Sequence, residues 1–295
     1  MRTAFIPVIL ALLILNACKN KTGPADNLFE NQELRAESKE IMEVVYSMYL
    51  PTDMTGMFNR SGTNYNPDIP APIDDITMYD NPEQLALMLG VYGVDITYMK
   101  FLGQAVQAAQ YYNSLETISQ KLNIPRSIFE QSSQQIEESY DNLDSLTIVL
   151  EEIYRKTDRF FRENGNDNLA ALSLTGGWLE AMYIGVKIFE ADTGNHVIAE
   201  HLLQQKYTLN SIYTILSNHQ ESLSVKGYLL MLKKLRKVYE DVDIMYQKEG
   251  FSVDTTQKKL RTYNTHIRYD KKTMTDLTMI IPRIREEFIR VGIPG

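Results

Sequence analysis

The chain has 295 residues, of which 44% are hydrophobic and 23% are charged, a globular composition that excludes bulk disorder. It carries 30 Lys and Arg against 38 Asp and Glu, a formal net charge of -8, and an acidic chain without a dense basic stripe is a poor nucleic-acid binder. The only cysteine, Cys18, excludes an intramolecular disulfide framework and a zinc site built from cysteines.

The N-terminal segment 1–17 is typical of a secretory signal peptide. Arg2 gives a positive start, and residues 5–15 form an apolar segment too short to span a bilayer comfortably. The sequence Leu15-Asn16-Ala17-Cys18 follows, and it resembles the lipobox of bacterial lipoproteins. The other interpretation is an ordinary secretory signal that happens to contain a cysteine.

The lipobox resemblance implies a processing route and a location. Residues 1–17 are removed, and Cys18 becomes the mature N-terminus, with a diacylglyceryl group and a further acyl chain such as palmitate. Two or more chains give stable attachment to a membrane. We expect residues 18–27 to be a flexible tether in the cell envelope, with the body in the periplasm or at the cell surface.

The mature chain is more acidic than the whole chain, because residues 1–17 contain Arg2 and no acid, so its formal charge is -9.

Residues 28–295 are predicted to form one helical body. An acidic body on a lipid stem is expected to stand off anionic headgroups rather than lie flat on them.

The first part of the body contains two predicted helices and a long loop. A helix is predicted from Leu28 to Tyr49, before Pro51. Residues 51–80 contain four prolines and two glycines and predict a functional or mobile loop. Asn81-Pro82-Glu83 is a helix-start signal for a helix that reaches Asn123, with Gly90, Gly93 and Gly103 as points of bending or close approach.

Further helical periodicity continues to the C-terminus. The predicted segments are 136–161, 167–193, 195–216, 222–250, a short segment 254–263, and 273–291 with a candidate kink at Pro282. Alternation typical of strands is nearly absent, and no further apolar stretch is long enough to span a membrane. The sequence therefore predicts an all-α fold, an antiparallel bundle of seven to nine helices, with two stacked helical units as a variant.

Two segments of the sequence resemble each other, 87–98 (LMLGVYGVDITY) and 172–183 (LSLTGGWLEAMY), so that Leu87 corresponds to Leu172 and Tyr98 to Tyr183. Each has glycines, an aromatic residue and one acid inside an apolar helix. One interpretation is chance similarity between amphipathic helices. The other is a duplicated helical unit, in which the two glycine-bearing helices lie against each other.

The acids of these segments are the candidate site residues, because an acid on an apolar helix face must be paired, hydrogen-bonded or protonated. One interpretation is a buried polar network that fixes helix register, or an acid that reaches out to water. The alternative is an aromatic pocket for a cationic or hydroxyl-rich ligand. The residues concerned are Asp95, Glu180, Tyr92, Tyr98, Trp178 and Tyr183.

Catalytic and metal-binding motifs are missing from the sequence. There is no GxSxG, Walker loop, GxGxxG or HExxH pattern. His196 and Glu200 share a helix face, but a metal site needs several such contributions. The pairs Glu286-Glu287, Lys233-Lys234 and Lys271-Lys272 are interpreted as solvated faces. We expect no enzyme activity, no metal and no cofactor.

The segment LALMLGVYGVDITYMKFLGQAVQAAQYYNSLETISQKLNIP resembles a stretch of uncharacterised helical lipoproteins of the Bacteroidota. The matching residues are Gly90, Tyr92, Gly93, Asp95, Tyr98, Leu122 and Ile124. This resemblance implies a Gram-negative envelope, in which we expect the anchor at the outer membrane, and it brings no activity.

The sequence favours a membrane-anchored, non-catalytic helical module that binds or scaffolds another envelope protein. Its expected partners are membrane lipid through Cys18 and an envelope protein, and nucleic acid is not expected. The alternative is a lipoprotein that binds a small ligand near Asp95 and Glu180, with the 51–80 loop as a lid.

Overall fold

The computed structural model describes residues 62–73, 79–129, 143–246, 251–254, 259–262 and 265–290, all of which belong to one compact unit, Glu43–Gly295. The predicted signal peptide, Cys18, the tether, the helix Leu28–Tyr49 and part of the 51–80 loop lie outside the described residues. The described part contains eight helices and four short strands, which confirms the predicted all-α helical bundle.

The eight described helices stand in the following order along the chain. They are α1 (Pro82–Phe101), α2 (Ala105–Lys121), α3 (Leu143–Glu163), α4 (Asp167–Ala191), α5 (His196–Gln204), α6 (Lys206–Ser217), α7 (Leu223–Val238) and α8 (Lys271–Ile289). The strands β1 (Asp243–Tyr246), β2 (Phe251–Asp254), β3 (Lys259–Thr262) and β4 (Thr265–Arg268) connect α7 to α8.

The core is built on α1 and α4, which pack against each other and are enclosed by the other helices. Helix α1 buries every residue from Gln84 to Met99, and α4 buries 18 of its 25 residues. A helix that is apolar all round is a core helix. The other helices bury one face each, as the amphipathic pattern predicts.

Three helix starts confirm their sequence signals. The Asn81 side chain accepts a hydrogen bond from Glu83 N at 2.8 Å, Asn195 accepts from Ile198 N at 3.2 Å, and Ser222 accepts from Val225 N at 3.3 Å. Each side-chain oxygen satisfies one of the free N–H groups at a helix start.

Two predicted helices are each divided into two. The helix that was predicted to reach Asn123 breaks at residues 102–104, where Gly103 has a φ of +73°, a left-handed conformation that favours glycine. The segment 195–216 breaks at Gln205, between α5 and α6. No glycine or proline stands at this second break, which explains why the sequence pattern did not reveal it.

The prediction of a helix through residue 250 was wrong. Helix α7 ends at Val238, and β1 pairs antiparallel with β4, with Asp243 opposite Arg268. Strand β2 pairs antiparallel with β3, in the region where the sequence predicted the end of one helix and the short helical segment 254–263. The apolar spacing of the sequence continues past the end of α7 because Tyr239 and Val242 remain buried in the turn that follows. The acids Glu240 and Asp241 stand at this end of the helix, where negative charge opposes the helix dipole.

Helix α4 also corrects the prediction about membrane-spanning segments. In the part of the chain that the structure describes, Asp167–Ala191 is long and apolar enough to cross a membrane by length and composition. However, 94% of its apolar window is buried inside the protein. Its apolar surface is therefore already covered by the other helices.

Candidate functional site

The backbones of α1 and α4 touch at their glycines. A Cβ atom on Gly90 would lie 1.9 Å from the carbonyl oxygen of Ser173, and one on Gly176 would lie 2.1 Å from that of Leu87. Such distances are far below van der Waals contact, so this approach requires residues without a Cβ. The two glycine-bearing segments of the sequence therefore lie directly against each other.

The two helices run in the same direction, in a register that follows the sequence offset. Near the start of the pair, Asn168 Nδ2 lies 3.5 Å from Glu83 Oε1. Further along, Asp95 interacts with Glu180. Both pairs have the same separation in sequence as the two similar segments, so related positions of the segments face each other.

Asp95 and Glu180 are completely buried, and Arg285 of α8 provides the positive charge beside them. Arg285 Nε donates to Glu180 Oε2 at 2.8 Å, and Arg285 Nη2 donates to Glu180 Oε1 at 2.7 Å. This two-pronged geometry is the strongest form of an ion pair between arginine and a carboxylate. We call Asp95, Glu180 and Arg285 the buried ion cluster.

Two further contacts hold the guanidinium in place. Arg285 Nη2 also donates to the carbonyl oxygen of Ile69 at 3.2 Å, and Arg285 Cζ lies 4.3 Å from the centroid of the Tyr183 ring, a cation–π geometry. Burial opposes the positive charge, but Glu180 more than compensates and raises the pKa of Arg285 above its ordinary value. Arg285 is therefore charged at every accessible pH.

A non-helical segment, residues 65–73, covers the acids, and we call it the strap. The Ala71 N–H donates to Asp95 Oδ2 at 3.0 Å. Three tyrosine hydroxyls hold the strap backbone: Tyr92 Oη donates to Pro72 O at 2.7 Å, Tyr111 Oη donates to Ala71 O at 2.6 Å, and Tyr98 Oη accepts from Asn66 N at 3.0 Å. The bonds at Ala71 satisfy the backbone groups of a buried residue, whereas those at the exposed Asn66 and Pro72 fix the strap to α1.

Only one of the two acids is balanced by a positive charge. Asp95 Oδ1 is buried without a conventional hydrogen-bond donor in the described part of the chain. Burial, and next the charge of Glu180, raise the pKa of Asp95 well above its ordinary value, although Arg285 and the Ala71 N–H oppose the change. Asp95 therefore holds its proton more strongly than an exposed carboxyl group, because it is buried beside the charge of Glu180.

The structure brings together most of the candidate site residues from the sequence. Five of the six lie in or around the buried ion cluster: Asp95, Glu180, Tyr92, Tyr98 and Tyr183. Trp178 is also buried, but it lies two positions before Glu180, and residues with this spacing point to different sides of a helix.

Sequence reasoning missed Arg285, whereas its ligand-site alternative had placed the 51–80 loop, to which the strap belongs, over Asp95 and Glu180. A signal for Arg285 existed, because it follows Leu277 and Ile281 at spacings of four and so continues the apolar face of α8. No local pattern predicts which backbone group of the strap bonds to Asp95, since the Ala71 N–H of a distant loop has no sequence signature.

The geometry describes a closed structural centre rather than an open site. Fully buried acids whose cationic partner belongs to the same chain leave no place for a ligand unless Arg285 and the strap move. An apolar pocket of about 30 Å³ lies nearby, lined by residues that include Gly93, Tyr154 and Thr157, and its volume suits about one water molecule.

Neither candidate metal ligands nor comparison with known proteins indicates what chemistry the site performs. Among the described residues, no group of three or more His, Cys, Asp or Glu side chains is placed to hold a metal ion. The chain matches no protein-family model, no curated protein and no solved structure.

Proposed function

We propose that this protein is a lipid-anchored envelope protein whose helical body acts as a non-catalytic binding or scaffolding module. The observation that carries the proposal is the position of Cys18, which is the only cysteine in 295 residues and stands at the end of a lipobox-like sequence. Two or more acyl chains at this residue give stable membrane attachment.

The buried ion cluster supports a non-catalytic role for the body. A catalytic acid must reach a substrate, whereas Asp95 and Glu180 are completely buried and bond to the chain itself. The cluster joins α1, α4, α8 and the strap, so its most direct effect is to fix how these elements pack. A rigid body of this kind suits a module that presents a surface to a partner.

The anchor is tested by cell fractionation of the full-length protein and of Cys18→Ala. We expect the wild type in the membrane fraction after a high-salt wash, released by detergent, with a diacylglyceryl group on its N-terminal peptide by mass spectrometry. The variant is expected in the soluble fraction. Thr22→Ala, which changes the predicted tether and leaves the lipobox intact, is the matched control and should behave like the wild type.

Sedimentation of Cys18→Ala with membranes after the same wash would refute the anchor. The partner is tested separately by crosslinking the lipidated protein in its native envelope, with Cys18→Ala as the control. A crosslinked protein that depends on Cys18 supports the scaffolding role, and the absence of any such protein argues against it.

The alternative, a lipoprotein with a ligand site at Asp95 and Glu180, requires a change of structure. A cationic ligand would have to take the position of the Arg285 guanidinium, which makes two hydrogen bonds to Glu180. Asp95 Oδ1, which receives no conventional hydrogen bond, is the one observation in favour of a ligand. A calorimetric titration with small cations and sugars tests this alternative, and binding that is lost in Glu180→Gln would support it.

A further inference from the structure

The charge of the chain is unevenly distributed along its length. Residues 223–290 contain 15 Lys and Arg and nine Asp and Glu, a formal charge of +6, although the whole chain carries -8. The rest of the chain therefore carries -14. Such an asymmetry between parts of a chain indicates a surface that interacts with an anionic partner.

Part of this positive charge is concentrated on the outer face of α7. Four lysines and two leucines lie within about 100° of each other around the helix at 100° per residue. We call them the Lys/Leu face: Leu223, Lys226, Leu230, Lys233, Lys234 and Lys237. The four lysines are exposed, and Leu223 and Leu230 have 63% and 65% of their surface exposed.

The opposite face of α7 accounts for its folding without help from the Lys/Leu face. It buries Val225, Tyr228, Leu229, Leu232 and Leu235 in the core. The exposed leucines are therefore extra to the packing of the protein. Single leucines are common on protein surfaces. Leu223 and Leu230, however, are seven residues apart and lie among lysines, so they form a second amphipathic pattern on the solvent side of α7.

The lysines of this face are available for a partner. None of the four makes an ion pair with any carboxylate that the structure describes. Arg236, in contrast, lies beside the face and is engaged, because its Nε donates to Asn210 Oδ1 at 2.8 Å and its Cζ lies 4.3 Å from the Tyr213 ring centroid.

We infer that the Lys/Leu face of α7 docks on the anionic lipid surface of a membrane. Lysines that alternate with exposed leucines along one helix are typical of helices that lie in a membrane interface, where the charges meet headgroups and the apolar side chains enter the acyl boundary. A nucleic-acid surface has no use for the leucines. The inference deepens the proposed function, since a lipid at Cys18 would hold the body close to such a surface.

This docking changes the orientation expected from net charge alone. A uniformly acidic body would stand off anionic headgroups, but a body with four exposed lysines on one face of α7 turns that face toward them. The proposed lipid anchor would supply attachment, and the Lys/Leu face would supply the orientation of the bound body.

Binding to vesicles tests the docking independently of the anchor. The mature chain with Cys18→Ala is mixed with vesicles of phosphatidylcholine and phosphatidylglycerol in a three-to-one ratio, or of phosphatidylcholine alone, and sedimented. We expect binding to the anionic vesicles, little binding to the zwitterionic ones, and loss of binding as salt shortens the Debye length from about 30 Å to about 3 Å.

Matched variants separate the face from net charge. Lys233→Gln with Lys237→Gln should weaken the vesicle partition coefficient about 25-fold, at about five-fold per lysine. Arg155→Gln with Arg159→Gln removes the same charge at the same spacing from the exposed surface of α3 and should have little effect. Leu230→Gln should cost about ten-fold, whereas Val106→Gln, exposed on α2, should not.

Three results would overturn the inference. They are equal binding to both kinds of vesicle, equal losses in the lysine and arginine pairs, and tighter binding to mixed-sequence duplex DNA than to the anionic vesicles at the same salt. Circular dichroism of each variant verifies that its fold is unchanged. If Cys18→Ala remains on membranes in the cell but the vesicle assay fails, the anchor and the docking face are both refuted. If only the vesicle assay fails, the anchor stands.

Discussion

Replacement of Arg285 by methionine should destabilise the protein strongly, because it leaves Glu180 buried without its counter-charge. Methionine keeps the unbranched stem and removes the guanidinium, so both oxygens of Glu180 lose their donors, and the Ile69 carbonyl loses one as well. Removal of one partner of a buried ion pair costs about 3–5 kcal/mol. At about 2–4 °C per kcal/mol for a domain of this size, the melting temperature should fall by about 6–20 °C.

The assay is urea unfolding followed by circular dichroism, with two comparisons. Arg283→Met on the exposed side of the same helix should change the free energy of unfolding by less than about 0.5 kcal/mol. Glu180→Met combined with Arg285→Met should be less destabilised than Arg285→Met alone, because the apolar pair leaves no unpaired charge.

Two outcomes would refute this reasoning. One is a loss below about 1 kcal/mol in Arg285→Met, which would mean that water reaches Glu180 in solution. The other is a double variant whose loss equals that of the two single variants together, since independent sites add and coupled sites do not.

Two other changes test the acid and the glycine contact. The pKa of Asp95 is raised in the folded state, so the folded protein binds this proton more strongly than the unfolded chain does. The free energy of unfolding of the wild type should therefore fall as pH rises above about 4, at up to about 1.4 kcal/mol per pH unit. Asp95→Asn removes the titrating carboxyl group, so urea unfolding at several pH values should show a flatter profile, and an unchanged profile would contradict the raised pKa of Asp95. Gly90→Ala should lower the stability by more than about 2 kcal/mol, since its Cβ would meet a backbone oxygen, whereas Gly227→Ala on α7, with no atom within 4 Å, should raise it by about 0.5–1 kcal/mol. Equal effects of the two substitutions in thermal unfolding would argue against the close packing of α1 and α4.

The helices and their capped starts were predictable because both depend on local sequence. Asn81, Asn195 and Ser222 each bond to a backbone N–H in the first turn of their own helix, and the apolar periodicity reports one face at a time. The pairing of the two glycine-bearing helices was also visible, since it left a repeated pattern of small residues, aromatics and one acid.

The remaining features depend on contacts between distant parts of the chain. Strand β1 finds its partner in β4, with two other strands between them in the sequence, while its own sequence continues the apolar period of α7. Asp95 receives its hydrogen bond from Ala71 in a loop, and the cation of the cluster is in α8. A local pattern marks Asp95 and Glu180 as acids in need of partners, but it cannot say which groups satisfy them.

The parallel course of α1 and α4 determines when the centre of the protein can be completed during synthesis. Because α1 and α4 point the same way, the chain between them must return along the bundle before they can pack. Contacts between the two helices therefore close a long loop, and the closure of long loops is slow. Asp95 leaves the ribosome well before Arg285, because chains are made from the N-terminus. Until α8 arrives, Glu180 lacks the cation that bonds to it in the folded protein, so its burial is unfavourable.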